Sequence, residues 1–209
     1  MPKIDAPTVR EHHAMVKAKL IAATEEILHE NGPEGLSAGA VARRAGIARN
    51  SIYRYVDSVD DLKFLALEQY VPRWIQLIFS QVDRDAEPAQ QLADFAVASL
   101  RQTRESSHGW LMSIMRTGAR RPQGSPVRKQ TEGDIQDVHT RIVAFMRDCW
   151  AAIGVDNARV WAGYTNALIF ESFKMSERGI EMDELEKHLR ASVLALTQAA
   201  RLSCETPSS

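Results

Sequence analysis

The run Arg49-Asn50-Ser51-Ile52-Tyr53-Arg54-Tyr55 concentrates side chains suited to a nucleic acid. In a major groove an arginine bonds bidentately to guanine and an asparagine to adenine, each good pair discriminating by about 1–3 kcal/mol. A tyrosine hydroxyl can donate to phosphate while its ring packs. From Gly35 to Val56 stand four arginines (Arg43, Arg44, Arg49, Arg54) and no Asp or Glu; acid returns at Asp57, Asp60 and Asp61. The whole chain is balanced, with 26 Lys+Arg against 27 Asp+Glu. A local basic stretch, and not net charge, is therefore the electrostatic footprint. Taken alone, the charges read equally well as a solvated helix face.

Other chemistry finds little support. His12 and His13 are adjacent, so they point to different faces of a helix and make a poor ligand pair. His108 and His139 lack companions at metal-ligand spacing. There is no P-loop, GxSxG, HExxH or CxxC motif. The expectation is no catalysis, no cofactor and no metal. Cys149 and Cys204 are too few for a disulfide framework, and a reducing cytoplasmic home fits best. No apolar run approaches the ~18 residues of a membrane span. Met1 to Arg10 has no apolar core segment of a secretory signal.

The elements that must position the basic run are helices. Of 209 residues, 44% are apolar and 25% charged, and only 11 Gly and 8 Pro interrupt them. That is a globular composition with few helix breakers. Thr8-Val9-Arg10-Glu11 is a capping-box pattern. Val16, Leu20, Ala23 and Ile27 then mark one face of a helix over about 9–30, ended by Asn31-Gly32-Pro33. Ser37 caps a short helix, Ala38 to Ala45, and Gly46 breaks it. A third short helix is expected over about 49–56, with Ile52 and Val56 on one face. Helices this short cannot stand alone in water and must pack on the first.

Ser58 opens a long helix to about Val82, which Pro72 should kink or split. A further helix restarts over Asp85 to Pro88, with Pro in its first turn, and runs to about Glu105. Others are expected over about 110–117, 126–152, 157–176 (capped by Asp156) and 183–202. Residues 118–128 read as an exposed loop. No strand alternation and no fixed-period repeat is present. The expected fold is all-α: a three-helix head and a larger antiparallel bundle of about six helices, with domains at 1–57 and 58–209.

Several features in one register over some 45 residues resemble the DNA-binding domain of TetR-family transcriptional regulators. They are an Ala-rich first helix ending in Gly, Ser37 before the Val41-Ala42 pair, and the turn Ala45-Gly46-Ile47. Ile52-Tyr53-Arg54-Tyr55-Val56 resembles the family's recognition-helix ending, and Asp60-Asp61-Leu62 opens the next helix. The resemblance implies a helix-turn-helix whose protruding helix enters the major groove. The candidate DNA contacts are Arg49, Asn50, Ser51, Tyr53, Arg54 and Tyr55, with Ser37 and Arg44 on the supporting helix. Two departures stand out. Ala48 replaces the usual Ser or Thr cap, worth about 1 kcal/mol. Val59 replaces a Lys common near the start of the fourth helix.

The rest of the chain holds all four tryptophans. The resemblance implies a ligand cavity there, with Trp74, Phe95, Trp110, Met115, Phe145, Trp161 and Tyr164 as candidate lining. Aromatic and Met residues at helical spacing also read as plain core. Arg116, Asn166 and Glu171 are polar residues in otherwise apolar helices. The resemblance further implies a homodimer through the last two helices. The function expected is a cytoplasmic, ligand-responsive repressor on a palindromic double-stranded operator, its effector small and apolar or aromatic, with no membrane partner. Two alternatives stand beside it: a DNA-binding regulator without effector, and a helical carrier or enzyme without operator.

Overall fold

The computed structural model describes residues 9–105 and 126–205, and all of its regular elements are helical. The expected elements at 110–117 and 118–128 lie wholly or largely outside the described residues, as do Thr8, Trp110, Met115 and Arg116. The described residues divide into two compact units, the first holding 9–70 and 126–134 and the second 71–105 and 135–205.

In the first unit α1 runs Val9–Asn31. It buries the expected stripe of Val16, Leu20, Ala23 and Ile27. Gly32 stops it with φ 66 and ψ −174, a backbone conformation open in practice to glycine alone. A 3-10 turn, Pro33–Gly35, follows. Helix α2 is Ala38–Ala45, and Ser37 Oγ accepts the Ala40 N–H at 3.2 Å. Gly46 is left-handed (φ 71, ψ 33). Its geometry lets the Ile47 N–H reach the Ala42 carbonyl at 3.0 Å, which closes the helix end.

The next element departs from expectation. Arg49–Arg54 is a six-residue 3-10 segment and not an α-helix to Val56. Ala48 supplies no side-chain cap. The Ser51 N–H instead bonds the Ala48 carbonyl at 2.9 Å, a tighter i to i+3 turn.

Helix α3, Val59–Phe79, begins in the first unit and ends in the second. Pro72 lies inside it without splitting it. Pro72 is exposed, so water can take the carbonyl that its missing N–H leaves. The helix stops short of Val82. There Ser80 Oγ and Gln81 Nε2 donate to the Leu77 carbonyl, at 2.8 and 3.3 Å, and finish the end.

Helix α4, Pro88–Glu105, lies in the second unit; α5, Pro126–Ile153, begins in the first unit and ends in the second; α6, Ala158–Glu177, and α7, Met182–Glu205, lie in the second. Helix α4 packs against α6 and α7, which also pack on each other. The core holds Leu92, Phe95, Leu100, Trp150 and Val193, all essentially inaccessible. Two ion pairs tie α4 to α7: Arg101 to Glu186 at 2.7 Å and Arg190 to Asp94 at 2.6 Å. The expected cap Asp156 is displaced by Asn157, which takes φ 56 and ψ 46 and caps with no side chain. Its carbonyl accepts the Val160 N–H at 2.7 Å.

Candidate nucleic-acid interface

The short segment after Gly46 is anchored from one side and bare on the other. Ile52 is fully buried and Val56 nearly so, both in the core shared with α1 and α2. A side chain on the buried face fixes the orientation of those between. Arg49, Asn50 and Arg54 are exposed, Ser51 is half-buried, and Tyr53 is 52% exposed. Arginine, asparagine, tyrosine and arginine thus face outward on a segment whose own core contacts are apolar. Among the described residues Arg43, Arg49 and Arg54 have no carboxylate within 4.0 Å. Their charge is available to an external anion.

Tyr55 sits differently. It is half-buried, and its ring lies against His13 of α1 with centroids 4.5 Å apart. Arg44 is engaged as well, bonding Glu30 at 2.8 Å and approaching Glu26 at 3.6 Å. The hydrogen bond from Arg44 holds the Glu30 carboxyl below the ordinary carboxylate range. Ser37 is exposed, and its hydroxyl oxygen is used as the α2 cap.

The acids after the segment have structural work. Asp61 is buried, and its Oδ2 accepts the backbone N–H groups of Asp57 at 3.1 Å and Ser58 at 2.9 Å. Ser58 Oγ accepts the Asp61 N–H at 3.2 Å. This reciprocal capping box starts α3 and pins the chain just after Val56. Asp60 pairs with Lys63 at 2.9 Å. The sequence signals a helix start at Ser58, but only the structure gives Asp61, His13, Glu26 and Glu30 their roles around the segment.

The aromatic candidates of the second unit fall into two ring groups. Phe95 is 1% exposed and packs on Phe79 and Phe145 at centroid distances of 5.5 and 5.2 Å. Trp161 stacks on Trp150 at 5.4 Å and touches Tyr164 at 5.8 Å. Tyr164 is 56% exposed. Trp74 is half-buried against the core. Asn166 is half-buried, and Glu171 pairs with Lys174 and Arg178. Among the described residues no three His, Cys, Asp or Glu side chains could hold a metal, and no helix is long and apolar enough to cross a membrane.

Two helices joined at a tight glycine turn, the second element projecting basic and amide groups, define a helix-turn-helix DNA-binding head on an all-α body. Residues 20–62 match the model of bacterial regulatory proteins of the tetR family. Solved structures share the fold over nearly the whole chain. A transcriptional regulator from Rhodococcus sp. RHA1 is 21% identical, with 88% of this chain and 97% of that chain covered and a TM-score of 0.70. A TetR-family transcriptional regulator from Streptomyces coelicolor is 12% identical, over 90% of this chain and 97% of its own, also at 0.70. The transcriptional regulator FadR from Bacillus subtilis, in complex with stearoyl-CoA, is 17% identical over 86% of this chain and 96% of its own, with a TM-score of 0.59. No curated protein sequence matches. Residues 20–62 are thus similar to bacterial regulatory proteins of the tetR family, and the fold is one shared with solved transcriptional regulators.

Proposed function

We propose that the protein is a homodimeric, ligand-responsive repressor that reads a palindromic operator. The observation that carries this reading is the outward row Arg49, Asn50, Tyr53 and Arg54 around the buried anchor Ile52. Arg49 and Asn50 come first and are assigned to base edges, as is usual for the leading residues of a recognition element. Ser51 is assigned to the same edge. Tyr53 and Arg54 are assigned to phosphate, with Tyr55 and Ser37 at the margin. Arg44, already bonded to Glu30, is assigned to bracing α2 on α1 more than to DNA.

Two faces support a dimer through α6 and α7. Val160 and Tyr164 stand one turn apart on α6 and Phe170 six residues further on, and they are 51%, 56% and 39% exposed. Ala195, Ala199 and Leu202 are exposed on α7. An effector is supported by the fold shared with FadR, which is solved with stearoyl-CoA. The effector must bind the DNA-competent and incompetent states differently, since equal affinity shifts nothing. Trp74, Phe145 and Trp161 are the candidate contacts that remain part-exposed in the body. The protein is assigned to the cytoplasm and given no catalytic role.

Fluorescence anisotropy on palindromic DNA from upstream of the protein's own gene tests the reading, across about 50–300 mM salt. The expected result is tight binding that survives salt and falls about tenfold or more for Asn50→Ala and for Tyr53→Ala. Binding that vanishes with salt and ignores sequence would overturn it, leaving only non-specific attraction to the basic stretch.

A further inference from the structure

The second unit holds an open cleft of about 480 Å3 that the DNA-reading head does not use. Phe79 at the end of α3 and Phe145 of α5 form its apolar floor, meeting edge to face with centroids 5.2 Å apart. Arg84, in the turn before α4, lays its guanidinium over both rings, at 4.7 and 4.9 Å. Such contact holds a cation in place without neutralising it. Arg141, on α5, lines the same cleft.

Neither arginine has a carboxylate within 4.0 Å among the described residues. The acid lining the cleft, Asp148, is held by Arg147 through bonds of 2.9 and 3.1 Å. Asp83, beside Arg84, spends its Oδ1 on the Asp85 N–H at 3.0 Å. The turn that carries Arg84 is itself fixed. Gln91 of α4 donates its side-chain amide to the Arg84 and Ala86 carbonyls, at 3.0 and 2.8 Å. Cys149 at the cleft wall adds no negative charge, because burial pushes its thiol up to about 11. Two guanidinium groups with no ion-pair partner among the described residues therefore line one cleft with two aromatic rings, its volume within the ~300–1,000 Å3 of small-molecule sites.

We propose that this cleft binds a small amphipathic anion, a carboxylate or phosphate monoester carried on a flat aromatic or apolar body. The anionic group pairs with Arg84 and Arg141, which offer forked donors suited to both oxyanions. The body lies against Phe79 and Phe145. The inference goes beyond the operator-reading function and does not depend on it.

Isothermal titration of the full chain with 2-naphthoate, 2-naphthyl phosphate and neutral 2-naphthylmethanol tests it. At least one anion is expected to bind saturably, one per chain, and about tenfold or more tighter than the alcohol, as charge-assisted bonds require. Arg84→Gln and Arg141→Gln are each expected to weaken that anion about fivefold or more, while Lys187→Gln, the same charge change on α7, leaves it unaltered. Arg141 does not stack on the rings, so its variant keeps the test meaningful if Arg84→Gln folds poorly. Which anion binds tighter identifies the headgroup. Equal binding of the alcohol, binding unchanged in both variants, or no heat from either anion up to about 2 mM would overturn the proposal. No DNA is present, so failure here is separate from failure of operator binding.

Discussion

The side chains that hold the second unit together include polar ones whose partners decide their behaviour. Trp150 is fully buried, and its indole N–H donates to Thr165 Oγ1 at 3.0 Å. Thr165 in turn donates to the Trp161 carbonyl at 3.1 Å. Thr165→Val keeps the shape and removes the acceptor, leaving a buried donor unmet. The expected loss is about 1–3 kcal/mol in urea unfolding, with Thr165→Ser costing clearly less. Cys149 gives a second prediction. Burial raises its thiol to about 11, so at pH 8 roughly a thousandth is thiolate, the reactive form. Cys204 is exposed. In a native-state titration with an aromatic disulfide at pH 8, one thiol per chain should react promptly and Cys149 only on unfolding; equal rates would refute this. Neither role was legible in the sequence. Thr165 looked like any helix-face residue, and Phe95, read as cavity lining, is core. Burial depends on what packs from other helices, and one helix's spacing does not carry that information. The pair Arg84 and Arg141 was equally hidden, since 57 positions separate two arginines that only the fold brings to one cleft.

At the level of elements the sequence was far more readable, because helix ends are local. Gly32, Gly46 and Gly179 each take positive φ at a helix end. Ser37 and Ser58 use their hydroxyls as caps, as their positions imply. The misreadings came where a local rule had a competitor. Pro72 does not split its helix, and its exposed position leaves the carbonyl without its N–H open to water. Arg49–Arg54 tightens to 3-10 because Ala48 offers no cap, and Ile52 still has to reach the core. That last point is testable. Ala48 has φ −67 and ψ 139, the extended backbone of an N-cap residue. Its missing oxygen is therefore a chemical gap in a backbone already shaped for it. Ala48→Ser should supply an acceptor to the first free N–H groups and stabilise the head by about 0.5–1 kcal/mol, seen as a raised urea midpoint with an unchanged m-value. A lower midpoint would mean that the 3-10 geometry keeps those groups out of a cap's reach.

For the molecule as a whole, the open matter is how a single small head achieves specificity. One recognition segment offers few base contacts, at about 1–3 kcal/mol each. Two segments on one palindrome double that number, provided that the protein holds them one helical turn apart, about 34–36 Å. The dimer proposed above would meet this need through the body, whose exposed large apolar groups include Val160, Tyr164 and Phe170 on α6 and Leu202 on α7. Tyr164 was expected to line a ligand cavity, but its 56% exposure suits a partner's surface better. Phe170, six residues further along the same helix, is 39% exposed. Placing a carboxylate at both positions, Tyr164→Glu with Phe170→Glu, would bury like charges against their own copies across a two-fold axis. Neither residue belongs to the fully buried core, so each chain should keep its helical content and its cooperative unfolding. The expected outcome in sedimentation velocity is a shift from dimer to monomer at micromolar concentration. Operator affinity should fall about a hundredfold or more, to the level of a half-site, while non-specific binding at low salt persists. Full operator affinity retained in a demonstrably monomeric double variant would refute the dimer as the source of specificity. A double variant that remains dimeric would place the interface on some surface other than α6 and α7.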